Sequence, residues 1–569
     1  MSRNLIERLT EGVVNRDLQK EGAALLSKWE KTGLLEGLGG EHTRAGMARL
    51  LENQAKQLLK ESSTMAAGDV QGFAAVAFPL VRRVFAGLLA NDLVSVQPMS
   101  LPSGLIFFLD FTTSTNGAGL PRLGYGASEA SLYGGGVIAS QITGGVTLGD
   151  TGPYNLNNGY ASPTGSATPS LTIKASGTFG ASQVTDALVR FDADFVSGTT
   201  VVLVADLDVS GIDDANYDNL VAFQLSDANI SGSLVRRLTQ VSGTVRDSSG
   251  RPDTLRLVFQ ANAGVGAATL SSSIVGATLT GDLKYPLKDS YTSATALGSV
   301  KGSAFDLENN TQIPEIDIKV DSVAVTAVTK KLKAKWTPEL GQDLNAYHNL
   351  DAEVELTSIL SEQIALEIDR EILEDLIKGA TAGTFYWSRS PGLFVNRTTG
   401  IEVGASAAAP EFTGNVSMWY ETLIETINDV SAQIHRKTLR GGANFVVTSP
   451  EVANILEFTA GFRASVTADD ERGSIGAVKV GSLSKKFDVH VDPYFPRNLL
   501  LVGRRGGSFL ESGYVYAPYV PLQVTPTIFG TEDFVPRKGV MTRYAKKMVR
   551  PDMYGLVVVR GLLGEGGGT

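Results

Sequence analysis

The chain has 569 residues, of which 43% are hydrophobic and 19% charged, with a net charge of −10 and no cysteine. Those values describe a folded protein rather than a disordered or fibrous one, long enough for roughly three or four domains or for one domain with insertions. Without cysteine there is no disulfide, thiolate zinc site or cysteine nucleophile, and the acidic balance argues against a protein that grips nucleic acid through a basic patch.

The opening stretch, MSRNLIERLTEGVVNRD, alternates charges every few residues and lacks the apolar run and small-residue cleavage site of a secretory signal. No later apolar stretch approaches the ~18 residues of a membrane span, so neither export nor insertion is expected. Residues 1–61 read as helical and amphipathic. RAGMARLLENQAKQLLKE places Met47, Leu50, Leu51, Leu58 and Leu59 near one stripe, interrupted by Gln54, which predicts packing on the chain's own domain or on a partner helix. SSTMAAGDVQG, residues 62–72, is small and polar, a linker or an exposed processing point. A helical pattern resumes from Phe73 to Leu93, with Leu80, Val84 and Leu88 at four-residue spacing. Pro98 and Pro102 then forbid its continuation, and LIFFLDF after Gly104 predicts a buried strand.

Between about 112 and 314 Ser, Thr, Gly, Ala and Val dominate, and short alternating runs recur between turn signals. VRFDADF predicts a strand with Val189, Phe191, Ala193 and Phe195 on one face and Arg190, Asp192 and Asp194 on the other. TVVLVADLDV, LVAFQLSDANI, LVRRLTQVSGTV and TLRLVFQA continue the pattern, with SSGRPD as a turn. An inserted antiparallel β domain, a sandwich or small barrel, is expected over about 160–300.

The pattern then changes. IDIKVDSVAVTAVTKKLKAKW, residues 316–336, is strand-like, and Thr337 can cap a helix that has Pro338 at its first position. From Asp351 to Lys378 apolar residues fall at Leu356, Leu360, Ile364, Ile368, Ile372 and Leu376 before Gly379, predicting a rod of about 42 Å. Its other side carries Glu353, Glu355, Glu362, Glu367, Asp369, Glu371, Glu374 and Asp375 against few cations. That stripe reads as solvated or interface-facing, a docking surface at most, rather than as paired carboxylates for metal or acid–base work. VSMWYETLIETINDVSAQIHRKT predicts a second amphipathic helix, ANFVVTS a buried strand, and SPEVANILE a short helix with Ser449 as cap and Pro450 first. KKFDVHVDPYF, NLLLVG and ESGYVYAPYVPL supply further strands, so this half mixes α and β.

No phosphate-cradling G-x-x-x-x-G-K-[ST], complete dinucleotide fingerprint or G-x-S-x-G elbow occurs. The four histidines, His42, His348, His435 and His490, lie far apart, and YHNLDAEVE brings His348, Asp351 and Glu355 to turn and helix spacing without a second histidine nearby. No catalytic residue, metal or cofactor is expected, and a chain of this length without a site signal favours a structural role over an enzyme.

Several segments, taken in order, resemble the major capsid proteins of T-even-type tailed bacteriophages. They are FPLVRRVFAGLLANDLVSVQPMSLPSGLIFFL, residues 331–373 (KLKAKWTPELGQDLNAYHNLDAEVELTSILSEQIALEIDREIL), ANFVVTSPEVANIL, DVHVDPYF, SGYVYAPYVPL and GVMTRY. The likeness covers most of 1–110 and 315–560. It implies an α+β Hong Kong 97-type capsid fold with the inserted β domain within its extended arm. Carried onto this chain, the resemblance gives an amino-terminal arm over 1–72, the start of the peripheral domain and extended arm over 73–111, and the arm with its insertion over 112–314. The arm's return and the peripheral domain follow over 315–412 with a spine helix at 351–378, then an axial domain over 413–510, and return strands with a flexible tail over 511–569.

The function implied is self-assembly into hexamers, and pentamers where vertices use this chain, to form an icosahedral head shell that encloses DNA without sequence-specific binding. Scaffolding or core, vertex, portal and decoration proteins are the implied partners, with no membrane, and the virion the destination after assembly in the bacterial host cytoplasm. Family members often lose an amino-terminal segment to a protease that cuts after Leu or Ile, any residue, then Glu. Leu59-Lys60-Glu61 before Ser62 matches, as do Leu5-Ile6-Glu7, Leu9-Thr10-Glu11, Leu34-Leu35-Glu36 and Leu50-Leu51-Glu52. The rival reading is a surface adhesin or glycan-binding structural protein acting through the β insertion.

Overall fold

In this computed structural model the described residues are 18–36, 38, 41–62, 88–113, 164–180, 183–192, 194–195, 198–212, 215–225, 230–243, 251–275, 283–287, 316–403, 412–464, 478–507, 511 and 513–562. The first described elements are helices α1 (Leu18–Glu30) and α2 (Glu41–Ser62). They are clamped to each other where Lys28 Nζ (2.6 Å) and Trp29 Nε1 (3.2 Å) both donate to the Glu52 carboxylate. The stripe predicted on α2 is its packed face: Met47, Leu50 and Leu51 are buried with Trp29 in the main core, and Gln54, expected to interrupt the stripe, is buried as well. The side chains of Leu58 and Leu59 are outside the described ones. Beside Gln54, the Asn53 amide donates to the carbonyls of Met99 (2.9 Å) and Tyr519 (3.0 Å), so α2 packs on its own chain.

Residues 63–87 lie outside the described residues, and with them the predicted linker beyond Ser62 and most of the helix predicted over 73–93. That helix is seen only at its end, α3 (Ala90–Leu93). The proline segment does redirect the chain: β1 (Ser95–Val96) runs parallel to Val515 and Tyr516, and Gln97 and Met99 N–H donate to the Tyr516 and Pro518 carbonyls. β2 (Ser103–Thr113) then leaves this sheet. LIFFLDF does form a strand, but of the buried run expected there Leu105 is 55% exposed and Phe111 half-buried, and the side chains of residues 106–110 are outside the described ones. β2 belongs to a two-stranded ribbon, and such a ribbon has no neighbouring strand on its outer edges to build a covered sheet.

Antiparallel strands fill the described part of 164–287: β3 (Thr164–Ala167), β4 (Ser170–Thr178), β5 (Val201–Asp208), β6 (Gln224–Leu225), β7 (Gly232–Leu234), β8 (Gln240–Val241), β9 (Thr254–Ala261) and β10 (Leu283–Pro286). One sheet runs β4-β5-β9-β7 with β8 on β9, the other β3-β10-β6. β5 is buried on both faces, which is why its sequence shows a continuous apolar run. Leu203, Ala205 and Leu207 meet Leu257 and Phe259 of β9, the three-stranded sheet and an unanticipated helix, α4 (Ala267–Val275), while Val202 and Val204 face a second cluster with Val184, Val189 and Phe195.

The strand expected at VRFDADF is instead a turn. Arg190 and Phe191 both have φ of 56° in the left-handed region, Phe191 is 77% exposed, and Asp192 and Asp194 converge on Arg237 at 2.7 Å each. Its alternation reflects acids gathered on one cation, not a pleat; Ala193 lies outside the described residues. LVAFQLSDANI and LVRRLTQVSGTV each break into a short 3-10 turn followed by a two-residue strand, β6 or β8, and only TVVLVADLDV and TLRLVFQA form full-length strands.

β11 (Ile316–Thr326) pairs with β2 residue for residue, from Ile316 opposite Thr113 to Thr326 opposite Ser103. One residue later the same strand path continues as β12 (Val328–Lys335). Thr337 caps α5 (Pro338–His348), accepting the Leu340 N–H, and Asp351 caps α6 (Ala352–Gly379), the long predicted helix. Then come β13 (Thr384–Ser388), α7 (Val416–Thr438), β14 (Phe445–Thr448), α8 (Pro450–Glu457) capped by Ser449, β15 (Phe462–Ala464), β16 (Val478–Leu483), β17 (Phe487–Val491) and β18 (Leu499–Gly503). The chain closes with β19 (Tyr514–Val524), β20 (Ile528–Phe529), β21 (Pro536–Met548) and β22 (Tyr554–Arg560).

Two sheets organise this half. The order β1-β19-β21-β12, with β20 on β21, forms the sheet under α6; the order β13-β22-β18-β14-β17-β16-β15 forms the other, covered by α7 and α8 through Trp419, Leu423, Ile427, Val452 and Leu456. A division at 413–510 and 511–569 therefore does not follow the sheets, because β22, and β13 from before residue 413, lie in the sheet that holds β14–β18.

Leu376, fully buried on α6, sits in the main core, whereas Val354 on the same helix is 59% exposed. Leu376→Ala is expected to lower stability by roughly 2–5 kcal/mol in denaturant unfolding and Val354→Ala by no more than about 0.5 kcal/mol.

Candidate functional site

The feature that concentrates charge, burial and long-range contacts is α6 with the sheet beneath it. Leu360, Ile364, Ile368, Ile372 and Leu376 recur at four-residue spacing and are all buried, with Leu356 half-buried at the start of the row. They pack into the main core with Tyr514 and Tyr516 of β19 and Val540 and Tyr544 of β21, and with the residues of α1 and α2 already described.

Flanking this row, half of the acidic stripe turns inward. Lys330 of β12 reaches Glu367 (3.0 Å) and Glu371 (2.5 Å); Lys546 of β21 reaches Glu371 and Asp375, both at 2.6 Å; Lys538 of β21 reaches Glu353 at 2.6 Å. The Tyr514 hydroxyl donates to Asp375 at 2.8 Å, that of Tyr544 donates to Glu371, and the backbone N–H of Leu89 donates to Asp369. Lys378 closes the end of the ladder on Glu374 one turn before it. The expectation of a solvated or docking stripe is thus corrected for Glu353, Asp369, Glu371 and Asp375, which are half-buried, whereas Glu367 and Glu374 are ion-paired yet exposed. Counting cations on the helix alone missed Lys330, Lys538 and Lys546, which sit at alternate positions of two strands and so face one side. Glu355 and Glu362 do stay exposed.

The ladder sets ionisation. Burial pushes the Glu371 carboxyl up, but hydrogen bonds from Lys330, Lys546 and Tyr544 outweigh it and hold the group down at about 2. Burial lowers Lys330 and Lys546, and their carboxylate partners more than restore them, so both titrate above the usual lysine range. Burial first, then the carboxylates of Asp375 and Glu371 respectively, push the phenols of Tyr514 and Tyr544 up.

His348, Asp351 and Glu355 do not assemble into a metal site: His348 lies in the last turn of α5, Asp351 spends its carboxylate on the Glu353 N–H, and among the described residues no group of three potential ligands comes together. His435 lies in the last turn of α7, where its backbone carbonyl accepts from the C-cap residue Leu439; the side chain of His42 is outside the described ones. His490 is 2% exposed on β17, opposite Lys479 of β16 and Val447 of β14, and its Nδ1 has no hydrogen-bond partner among the described residues. Burial lowers its pKa, aided by Lys479 and opposed by Asp92 and Asp488. Glu61 and Ser62 form the last residues of α2, with side chains outside the described ones. No described helix is long and apolar enough to cross a membrane.

The charged groups of this region are spent holding a helix to a sheet, and the sequence comparisons fall among phage capsid proteins. The major capsid protein of Vibrio phage KVP40 is 30% identical over 249 residues, 42% of this chain and 46% of that protein. The major capsid protein of Enterobacteria phage T4 is 31% identical over 242 residues, 40% of this chain and 44% of that protein. The matches thus span under half the length of these relatives. Among solved structures, the mature capsid of bacteriophage PhiM1 superposes with a TM-score of 0.27 at 13% identity (47% of this chain, 79% of that one), and the capsid of Myoviridae phage XM1 with 0.28 at 11% (44% and 79%). The model of the family described as major capsid protein Gp23 matches residues 70–202 and 207–564, and the chain belongs to that family.

Two acid transitions follow. His490 is held neutral, so the stability it contributes is present above its unfolded value of 6.5 and is lost as pH falls through its lower folded value; His490→Gln is expected to remove that step from the pH dependence of thermal unfolding. Glu371 is held ionised, so its contribution is present above 4.5 and lost as pH falls towards about 2. Glu371→Gln is expected to cost roughly 1.5–3 kcal/mol at pH 7 and to flatten this second step.

Proposed function

We propose that this chain is the repeating subunit of the head shell of a tailed double-stranded DNA bacteriophage, assembling into hexameric capsomers that close into an icosahedral container. The observation that supports this most strongly is the family match, which runs through both α6 and the two sheets of the carboxy-terminal half. In this reading α6 is the spine of a Hong Kong 97-type subunit, the β2–β11 ribbon the base of its extended arm, the β3–β10 sheets an insertion carried on that arm, and the α7-covered sheet the axial region. A subunit of this kind needs no active site; it acts as a non-enzymatic tile that directs surfaces at copies of itself. Its acidic balance suits a wall that encloses DNA without adhering to it. The site of action is the virion, reached by assembly in the bacterial host cytoplasm with scaffolding, vertex, portal and decoration proteins.

Processing after Glu61 belongs to the same reading. The cut would fall in the last turn of α2, whose apolar face is already packed, so Trp29, Leu35, Met47, Leu50 and Leu51 would be severed from the chain yet still seated in its core. Release of the piece then requires the body to cover the vacated face.

Electron micrographs of the protein co-expressed with its assembly partners are expected to show closed shells, tubes or rings; dispersed monomers at every concentration overturn the assignment. Mass spectrometry of the virion protein is expected to show a chain beginning at Ser62, and an intact amino terminus overturns the processing step alone.

A further inference from the structure

Charge is sharply segregated around the junction of β12 and α5. Residues 328–335 hold four lysines, Lys330, Lys331, Lys333 and Lys335, and from Trp336 to Asp369 there is no lysine or arginine at all while eight acids occur. Lys330 is consumed by the ladder under α6, as are Glu353 and Glu367. What remains is two opposite surfaces.

The basic one lies on β12. Leu332 and Ala334 pack towards the core, so Lys331, Lys333 and Lys335 project from the opposite face of the sheet, all exposed and none ion-paired among the described residues. Lys333 stands opposite Gly539 of β21, which offers no side chain to cover it, and β12 is an edge of its sheet.

The acidic one lies on α5 and the start of α6. α5 has no buried residue at all. Glu339, Asp343 and Tyr347 recur at four-residue spacing along it, and Tyr347 is 82% exposed. Leu340, Leu350, Val354 and Ile359 are exposed apolar residues of the same segment, which also carries Glu355 and Glu362, acids with no ion pair among the described residues. A helix capped at its start, ended by Asn349 in the left-handed conformation, and without a buried residue presents a formed surface that a partner can cover.

We infer that these two surfaces are the two halves of one contact between copies of this chain, the lysine face of β12 on one copy receiving the acidic, apolar-edged face of α5 and early α6 on the next. Facing away from their own α6, the lysines are not placed to pair with that helix's acids, and the contact is assigned as head-to-tail, the kind that closes into rings. Opposed charges align the copies, and the exposed apolar side chains of α5 and early α6 supply area to bury. The contact rests on the shell-subunit reading and assigns to it a particular pair of faces.

The test is charge exchange in the full chain, expressed with its assembly partners. Lys331→Glu with Lys333→Glu and Lys335→Glu is expected to raise the concentration needed for assembly by roughly tenfold or more, and so is Glu339→Lys with Asp343→Lys and Glu355→Lys. Both sets sit on exposed positions, so circular dichroism is expected to match the wild type, with only a small drop in the unfolding midpoint of the acid-to-lysine set because Glu339 and Glu355 lie in the first turns of α5 and α6. Combining all six changes in one chain, or mixing the two triple variants, is expected to restore assembly. The inference is overturned if either triple variant assembles at the wild-type concentration, or if the six-fold variant folds and fails to assemble. It is also overturned if the lysine variant forms normal shells that only fail to retain DNA, which would make the face a nucleic-acid contact. A wild-type chain that never assembles would instead remove the shell-subunit reading itself, and this contact with it.

Discussion

The seating of α6 on the sheet β1-β19-β21-β12 is the interaction on which the rest of the structure depends. It is made twice over. A row of fully buried aliphatic side chains supplies the non-directional part, worth about 25 cal/mol for each Å² of apolar surface removed from water. The lysine–carboxylate ladder beside it supplies direction, because Lys330 and Lys546 each bridge two acids of the helix and so fix its position along its own axis as well as its distance from the sheet. An apolar row alone permits sliding by one turn; a ladder with charges spaced to match does not. The ladder is half-buried, where ion pairs are screened less than at an open surface and their hydrogen bonds to the tyrosines of β19 and β21 complete the carboxylates' partners.

Everything else attaches to that frame. The amino-terminal helices lie against the same core, the ribbon's two strands continue from the sheet's two outermost strands, β1 and β12, and the second sheet shares a boundary with it through Phe445, Leu501 and Tyr554, which belong to strands of that second sheet yet pack in the main core. The two carboxy-terminal layers are therefore joined by shared side chains rather than merely by linkers.

Much of the carboxy-terminal half was legible in the sequence because local signals and tertiary packing agree there. Thr337 with Pro338 and Ser449 with Pro450 announce helix starts that the backbone adopts, and the four-residue row from Leu360 to Leu376 is the packed face of α6. Legibility failed where the deciding partner is distant. The acids of α6 look unpaired until strands some 40 to 185 residues away bring lysines to them. VRFDADF carries a period-two pattern, yet Arg237, more than 40 residues on, gathers its acids into a turn. The same distance effect hid α4, whose Leu270 and Ile274 matter only because β5 and β9 lie beneath them. The Gln54 interruption was a real signal of a different kind: a polar side chain accommodated within a packed face.

The path from β11 into β12 changes partners at Ala327, which is buried against Met99, Val515 and Ala517 and donates its N–H to the Pro102 carbonyl. Tension applied to the ribbon along its length would travel through that covalent backbone into β12, whose eight residue pairs with β21 would then be loaded in shear, all together, instead of peeling apart one by one. The ribbon is anchored the way a rope is spliced rather than glued, and its root would yield only after many bonds had to fail at once.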